Sequence, residues 1–192
     1  KVKFCEVKKE IEEDSSRYQG WICASWIQEE RIHVDVLPAE VAMPRRYAFR
    51  YVVIDITAVS DKYGLVLDDA YAKVTTSTED AALTVYQGNA KEMRMDEVAL
   101  RTLRNCMQDV FEDGPKRDRR LWLGDLRLQA LANYATFDNK ELVRRCLYLF
   151  AGMTTVDGKI SANVFVKPKN IPDDTFLFEY SLFFISTLYD LN

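Results

Sequence analysis

Histidine is all but missing from this chain of 192 residues: His33 stands alone. Ile32, Val34 and Val36 alternate with His33 and Asp35, a strand period that puts the imidazole on a polar face. No serine or cysteine around it sits in a nucleophile elbow, so a hydrolytic triad is not expected. Cysteine is also sparse. Cys5, Cys23, Cys106 and Cys146 are scattered, with no C-x-x-C pair and no histidine close by, which argues against zinc. Buried thiols in a reducing, cytoplasmic setting are the expectation, with two disulfides as the alternative. No apolar run reaches the roughly 18 to 20 residues that span a bilayer, so no membrane partner is expected. Basic charge is not in excess: the net charge is −4, which gives no polyanion-binding signal and no nucleic-acid partner. No loop is dense enough in Asp and Asn to suggest calcium, and no cofactor is expected. Lys1-Val2-Lys3-Phe4 has neither a start methionine nor an apolar segment after its charges, so an internal cut is expected there, with any signal peptide outside the sequence.

What the chain does have is 48% apolar and 29% charged residues, an ordinary globular balance with length for one large domain or two small ones. Its period changes near residue 90. Before that point, runs rich in Val, Ile, Tyr and Trp recur between turn signals: Gly20 to Gln28, Arg31 to Leu37, Tyr47 to Thr57 and Leu65 to Thr76. These predict an antiparallel β-sandwich over residues 1–90, itself open to truncation at the N-terminus.

After residue 90 the spacing is helical. From Asp96, apolar positions follow steps of three and four through Phe111, and Leu126 to Phe137 predicts a second helix. Asp138-Asn139-Lys140-Glu141 reads as a capping box opening a third, which runs through Leu142, Val143, Cys146, Leu147 and Phe150 to Gly152. Val156 to Ile160 predicts a tight turn, and Pro172-Asp173-Asp174 the start of a fourth helix. That helix, from Phe176 to Tyr189, is apolar almost all round and so needs cover on every side. Further helices are therefore expected to cover it, supplied downstream in the parent chain or by a partner chain.

The densest chemistry lies at Asp113-Gly114-Pro115-Lys116-Arg117-Asp118-Arg119-Arg120-Leu121-Trp122-Leu123-Gly124-Asp125. On composition alone this reads first as a charged surface loop held by ordinary salt bridges, with Trp122 in the core. Carboxylates, arginines and an indole are also what a sugar-cleaving site uses. The carboxylates donate protons and accept from hydroxyls, and the indole offers a flat face to a pyranose.

The run resembles the signature of bacterial α-L-rhamnosidases of glycoside hydrolase family 78. There an aspartate leads into a proline, an arginine, an acid and then Trp-x-Gly-Asp, here Asp113, Pro115, Arg117, Asp118, Trp122, Gly124 and Asp125. Pro44 to Tyr51 is similar to a sandwich strand that precedes the family's helical domain. The resemblance implies a multi-domain fold, all-β followed by all-α: an antiparallel β-sandwich and then, over residues 91–192, the first helices of an incomplete (α/α)6 six-hairpin barrel.

By the same resemblance Asp118 takes the place of the general acid, and Asp113, Arg117, Trp122 and Asp125 contact the sugar. Trp122 keeps its core reading beside this one. A general acid must hold its proton near neutrality, which burial or neighbouring negative charge provides. The family inverts the anomeric centre and takes its base from a downstream glutamate, which implies a carbohydrate (rhamnosyl glycoside) substrate and a 192-residue piece that is inert alone. Asp173 and Glu179 are the remaining local candidates for sugar contacts. Aspartate stands at 118 where the family often has glutamate, and Arg119-Arg120-Leu121 replaces a stretch ending in glycine, so a six-hairpin glycosidase of different sugar specificity is an alternative. A non-catalytic carbohydrate-binding or scaffold module, with Trp21, Trp26 and Tyr47 as platform, is another. The odd spacing of Trp21 and Trp26 sends them to opposite faces of a regular strand.

Overall fold

The computed structural model describes residues 1–17, 28–79 and 86–192. Gly20 to Gln28, with Cys23, Trp21 and Trp26, thus lies outside the described residues except for Gln28. The chain divides into two compact units: Lys1–Lys73 with Lys116–Asp118, and Val74–Pro115 with Arg119–Asn192.

In the first unit β1 (Val2–Cys5) is the centre of a three-stranded antiparallel sheet, flanked by β2 (Gln28–Glu30) and β3 (Tyr51–Ile54). Val2 pairs with Glu30 on one side and Ile54 on the other. Phe4, 4% exposed, stacks on Tyr47 with ring centroids 3.9 Å apart, and Phe49 leans on it at 5.1 Å. A single turn of helix, α1 (Lys9–Glu12), follows β1. The expected strands at Arg31 to Leu37 and Leu65 to Thr76 do not form, and the run from Tyr47 is strand only over Tyr51–Ile54. Val36, Val66 and Tyr71 are largely exposed. β-propensity expresses a fit to a half-buried pleated surface, and without a paired neighbour an alternating pattern does not make a strand.

The second unit is mainly helical. α2 (Ala90–Cys106) starts earlier than the predicted Asp96, because Asn89 caps it. The Asn89 side chain accepts from the amides of Lys91 and Glu92, and Glu92 accepts from the Asn89 amide, which closes a capping box. α3 (Leu123–Tyr134) also starts before its predicted Leu126, and buries Leu123, Leu126, Ala130 and Asn133 along one face. α4 (Lys140–Gly152) buries Leu142, Val143, Cys146, Leu147 and Phe150, the stripe its spacing predicts. Its cap is Asn139 rather than Asp138: Asn139 accepts from the Leu142 amide, while Asp138 sits at φ 51°, in the left-handed region. Asp138 is thus the turn residue, a place that its short polar side chain tolerates.

A second antiparallel sheet, in the order β4-β5-β6, joins Leu121–Trp122, Asn163–Phe165 and Ile171–Pro172. Pro172 therefore ends an edge strand, where its missing N–H costs nothing, instead of opening a helix. The last helix, α5 (Phe178–Leu191), begins later. The turn at residues 156–158 is as expected, with Gly158 at φ 79°. The core of this unit gathers Met107, Phe111, Leu121, Leu126, Phe150 and Val164 with their neighbours.

Candidate active site

The charged segment is not one loose loop. At its base Asp113 and Arg120 pair in antiparallel fashion, the Asp113 amide donating to the Arg120 carbonyl at 2.8 Å. The Arg119 amide donates to the Gly114 carbonyl at 3.1 Å. Gly114 (φ 57°) and Arg119 (φ 51°) both take left-handed backbone, free for glycine and costing roughly 1 kcal/mol for arginine.

Lys116, Arg117 and Asp118 belong with the first unit. Lys116 is only 7% exposed, and its ammonium meets Glu10 of α1 at 2.5 Å. Its carbonyl accepts from the side-chain amide of buried Gln28 at the start of β2. A buried lysine needs such a partner, and the pair with Glu10 pins the backbone two residues before Asp118. Arg117 is exposed and Asp118 half-buried. Lys116, which reads as one more surface charge in the sequence, is an anchor.

Asp113, Trp122 and Asp125 belong to the second unit. Leu121 and Val164 pair across β4 and β5 and point into the core, both 0% exposed. The alternate face carries Arg120 and Trp122 on β4, Asn163 and Phe165 on β5, and Asp173 next to β6. The Arg120 guanidinium lies 3.9 Å from the centre of the Phe165 ring and 3.8 Å from the Asp173 carboxylate. Asn163 is fully buried, and its amide donates to Asp173 at 2.6 Å. Burial pushes the Asp173 carboxyl up, but hydrogen bonds from Asn163, Thr175 and the Asp174 backbone, with the charge of Arg120, outweigh it and hold it below its usual range. Asp173 is thus bound into the scaffold beside β5, through Asn163 and Arg120.

Trp122 is half-buried on this polar face, so the choice between core and wall falls between the two. Its indole Nε1 is buried with no partner among the described residues, and so is the side-chain oxygen of Asn163, directly across the strand pair. Trp122 is also the residue from which α3 starts, and Asp125 lies in the first turn of that helix, where a carboxylate complements the dipole. Between them, Gly124 has no side chain because Tyr180 of α5 fills the place. A Cβ there would lie 2.6 Å from the phenol ring and 2.7 Å from its hydroxyl. Burial pushes the Tyr180 phenol up, and the negative charges of Asp125, Glu179 and Asp113 push it further. Sequence reasoning missed Tyr180 and Arg120. Only Gly124, a glycine inside a helix's first turn, signals that something approaches closely there.

The second unit therefore holds the side chains of Asp113 and Asp125, a protonated phenol and an indole face. Such a set suits a polyol: hydroxyls donate to the carboxylates and the apolar side of the ring lies on the indole.

Two family models match the chain. Residues 1–74 match the glycosyl hydrolase family 78 alpha-rhamnosidase N-terminal domain, and residues 89–175 the bacterial alpha-L-rhamnosidase 6 hairpin glycosidase domain. The chain is also similar to a solved structure, a rhamnosidase from Klebsiella oxytoca with rhamnose bound, at 53% identity over 99% of this chain with a TM-score of 0.92. The chain belongs to glycoside hydrolase family 78. It spans 37% of that rhamnosidase's chain. No curated protein sequence matches it. The family 78 membership accounts for the order of the two units, sheet first and helices after, with the Asp113 to Asp125 segment inside the six-hairpin match, after α2.

Proposed function

We propose that this chain is part of an inverting α-L-rhamnosidase in which Asp118 protonates the glycosidic oxygen of a rhamnosyl glycoside. Asp113 and Asp125 accept hydrogen bonds from sugar hydroxyls, Arg117 assists them, and Trp122 walls the subsite. The observation that carries this reading is the 53% identity, across nearly the whole chain, with a rhamnosidase that holds rhamnose. The half-buried setting of Asp118 and the pinned backbone at Lys116 favour it, since a general acid must be both held in place and partly withdrawn from water. Inversion needs a second carboxylate roughly 6.5 to 9.5 Å from the acid, with a water between. The family's glutamate base has no counterpart assigned in these 192 residues, so the polypeptide by itself binds sugar without turning it over. The remaining helices of the six-hairpin domain are its structural partner, and no cofactor takes part.

The test compares the purified 192-residue polypeptide with the protein as encoded in its gene, each given an α-L-rhamnoside. The isolated polypeptide is expected to release no rhamnose and the encoded protein to release it with inverted anomeric configuration. Release by the polypeptide alone, or retention of configuration, contradicts the proposal.

A further inference from the structure

We propose that Tyr180 is a further substrate-binding residue of this site, its phenol lying over Gly124 beside Asp125 and donating a hydrogen bond to a hydroxyl of the bound sugar. The inference rests on the reading of the site as a sugar subsite and adds to it the group that the motif does not contain.

The first turn of α5 brings Tyr180 onto the first turn of α3, where the ring occupies the space that any side chain at 124 would need. That close approach gives the glycine of the Trp-x-Gly-Asp run a physical reason. Glycine costs about 1 kcal/mol in a helix relative to alanine, and here the cost is offset by the ring that it admits. Gly124 and Asp125 then lie beside the phenol.

The chemistry of the subsite calls for a donor. Asp113 and Asp125 only accept when ionised, whereas the oxygen of a sugar hydroxyl also accepts. The phenol is half-buried, and no hydrogen bond to the described residues holds its hydroxyl, whose surroundings act on it through burial and charge alone. Burial, with Asp125, Glu179 and Asp113 around it, keeps the proton on the phenol throughout the neutral range, so the group remains a donor. A neighbouring aromatic contact with Phe183, centroids 5.9 Å apart, supports the ring from within α5.

The experiment measures L-rhamnose affinity by calorimetry on the protein as encoded in its gene, beside thermal unfolding. Tyr180→Phe, which removes only the hydroxyl, is expected to weaken binding about threefold to tenfold, the range of one lost hydrogen bond, with the unfolding temperature unchanged. Gly124→Ala is expected to weaken binding at least as much by displacing the ring. The same Gly124→Ala change made in a Tyr180→Ala background should add nothing, because the obstacle is gone. Wild-type affinity in Tyr180→Phe, or a Gly124→Ala effect that persists in the Tyr180→Ala background, overturns the role of Tyr180 and leaves the subsite reading intact. Absence of rhamnose binding by the unaltered protein overturns the subsite reading itself, and this inference with it.

Discussion

At the scale of single residues, strain, protonation and burial each mark particular positions. Arg119 holds a left-handed backbone beside the candidate acid. Arg119→Gly should therefore stabilise the fold by a few tenths to about 1 kcal/mol, read as a rise in the urea midpoint, and an unchanged or lower midpoint would show that its side chain compensates the strain. Cys146 is fully buried, and that burial pushes its thiol up to about 12. Only the thiolate is a nucleophile, so native protein at pH 8 should leave Cys146 unlabelled by iodoacetamide while denatured protein is labelled, as mass spectrometry of its peptide will tell. Asp173 behaves in the opposite sense. Its carboxyl is held below the usual range, so its contribution to stability is present above the unfolded value, near pH 4, and is lost as the pH falls through the folded one. Asp173→Asn should therefore lose less stability than the native chain between pH 6 and pH 3, and equal losses would sink this account.

At the scale of elements, the caps and clamps decide where segments begin. Asn133, fully buried at the end of α3, accepts from the Asn139 amide at 3.0 Å and donates to the Asn139 carbonyl at 3.3 Å, which fixes the turn into α4. Asn133→Ala is expected to cost about 1 to 3 kcal/mol in equilibrium unfolding, as two backbone groups lose their partner. The Lys116 clamp should matter more to chemistry than to folding. Glu10→Gln leaves a nearly buried ammonium without its counter-charge and frees the backbone before Asp118. In the encoded protein its expected effect is a fall in kcat with KM little changed, and a KM effect alone would place the clamp elsewhere in the mechanism.

The elements also show what was legible in the sequence. α4 was legible because its five buried residues recur at helical spacing on a single face. α2 is longer than its apolar spacing from Asp96 indicates, because its capping box, Asn89 and Glu92, lies before that spacing begins. Leu65 to Thr76 and Pro172 misled for one reason: local propensity is indifferent to which strand, if any, lies alongside. In the candidate site, Asp113 and Asp125 are proposed from a likeness of motif, not from any period. Tyr180 is not, since its position follows from packing between helices far apart in sequence. Lys116 was hidden among charges of the same kind, because a sequence does not display burial.

At the scale of the molecule, each unit has its own organisation: a sheet around Phe4 and β1 in the first, helices and a small sheet around Phe111 and Phe150 in the second. α5 leaves Phe178, Ile185 and Tyr189 largely exposed, and Thr187 is its single buried residue. A helix of that composition suits a six-hairpin domain, in which each hairpin packs against others.

The central claim concerns Asp118, and the most direct measurement is the turnover of two α-L-rhamnosides by the encoded protein and its Asp118→Asn variant, one with an alkyl leaving group and one with an activated nitrophenyl group. If Asp118 supplies the proton, the variant should lose about 100-fold or more on the alkyl glycoside and retain most of its rate on the nitrophenyl one, whose leaving group departs without protonation. Equal rates for variant and native protein on both substrates would contradict the account.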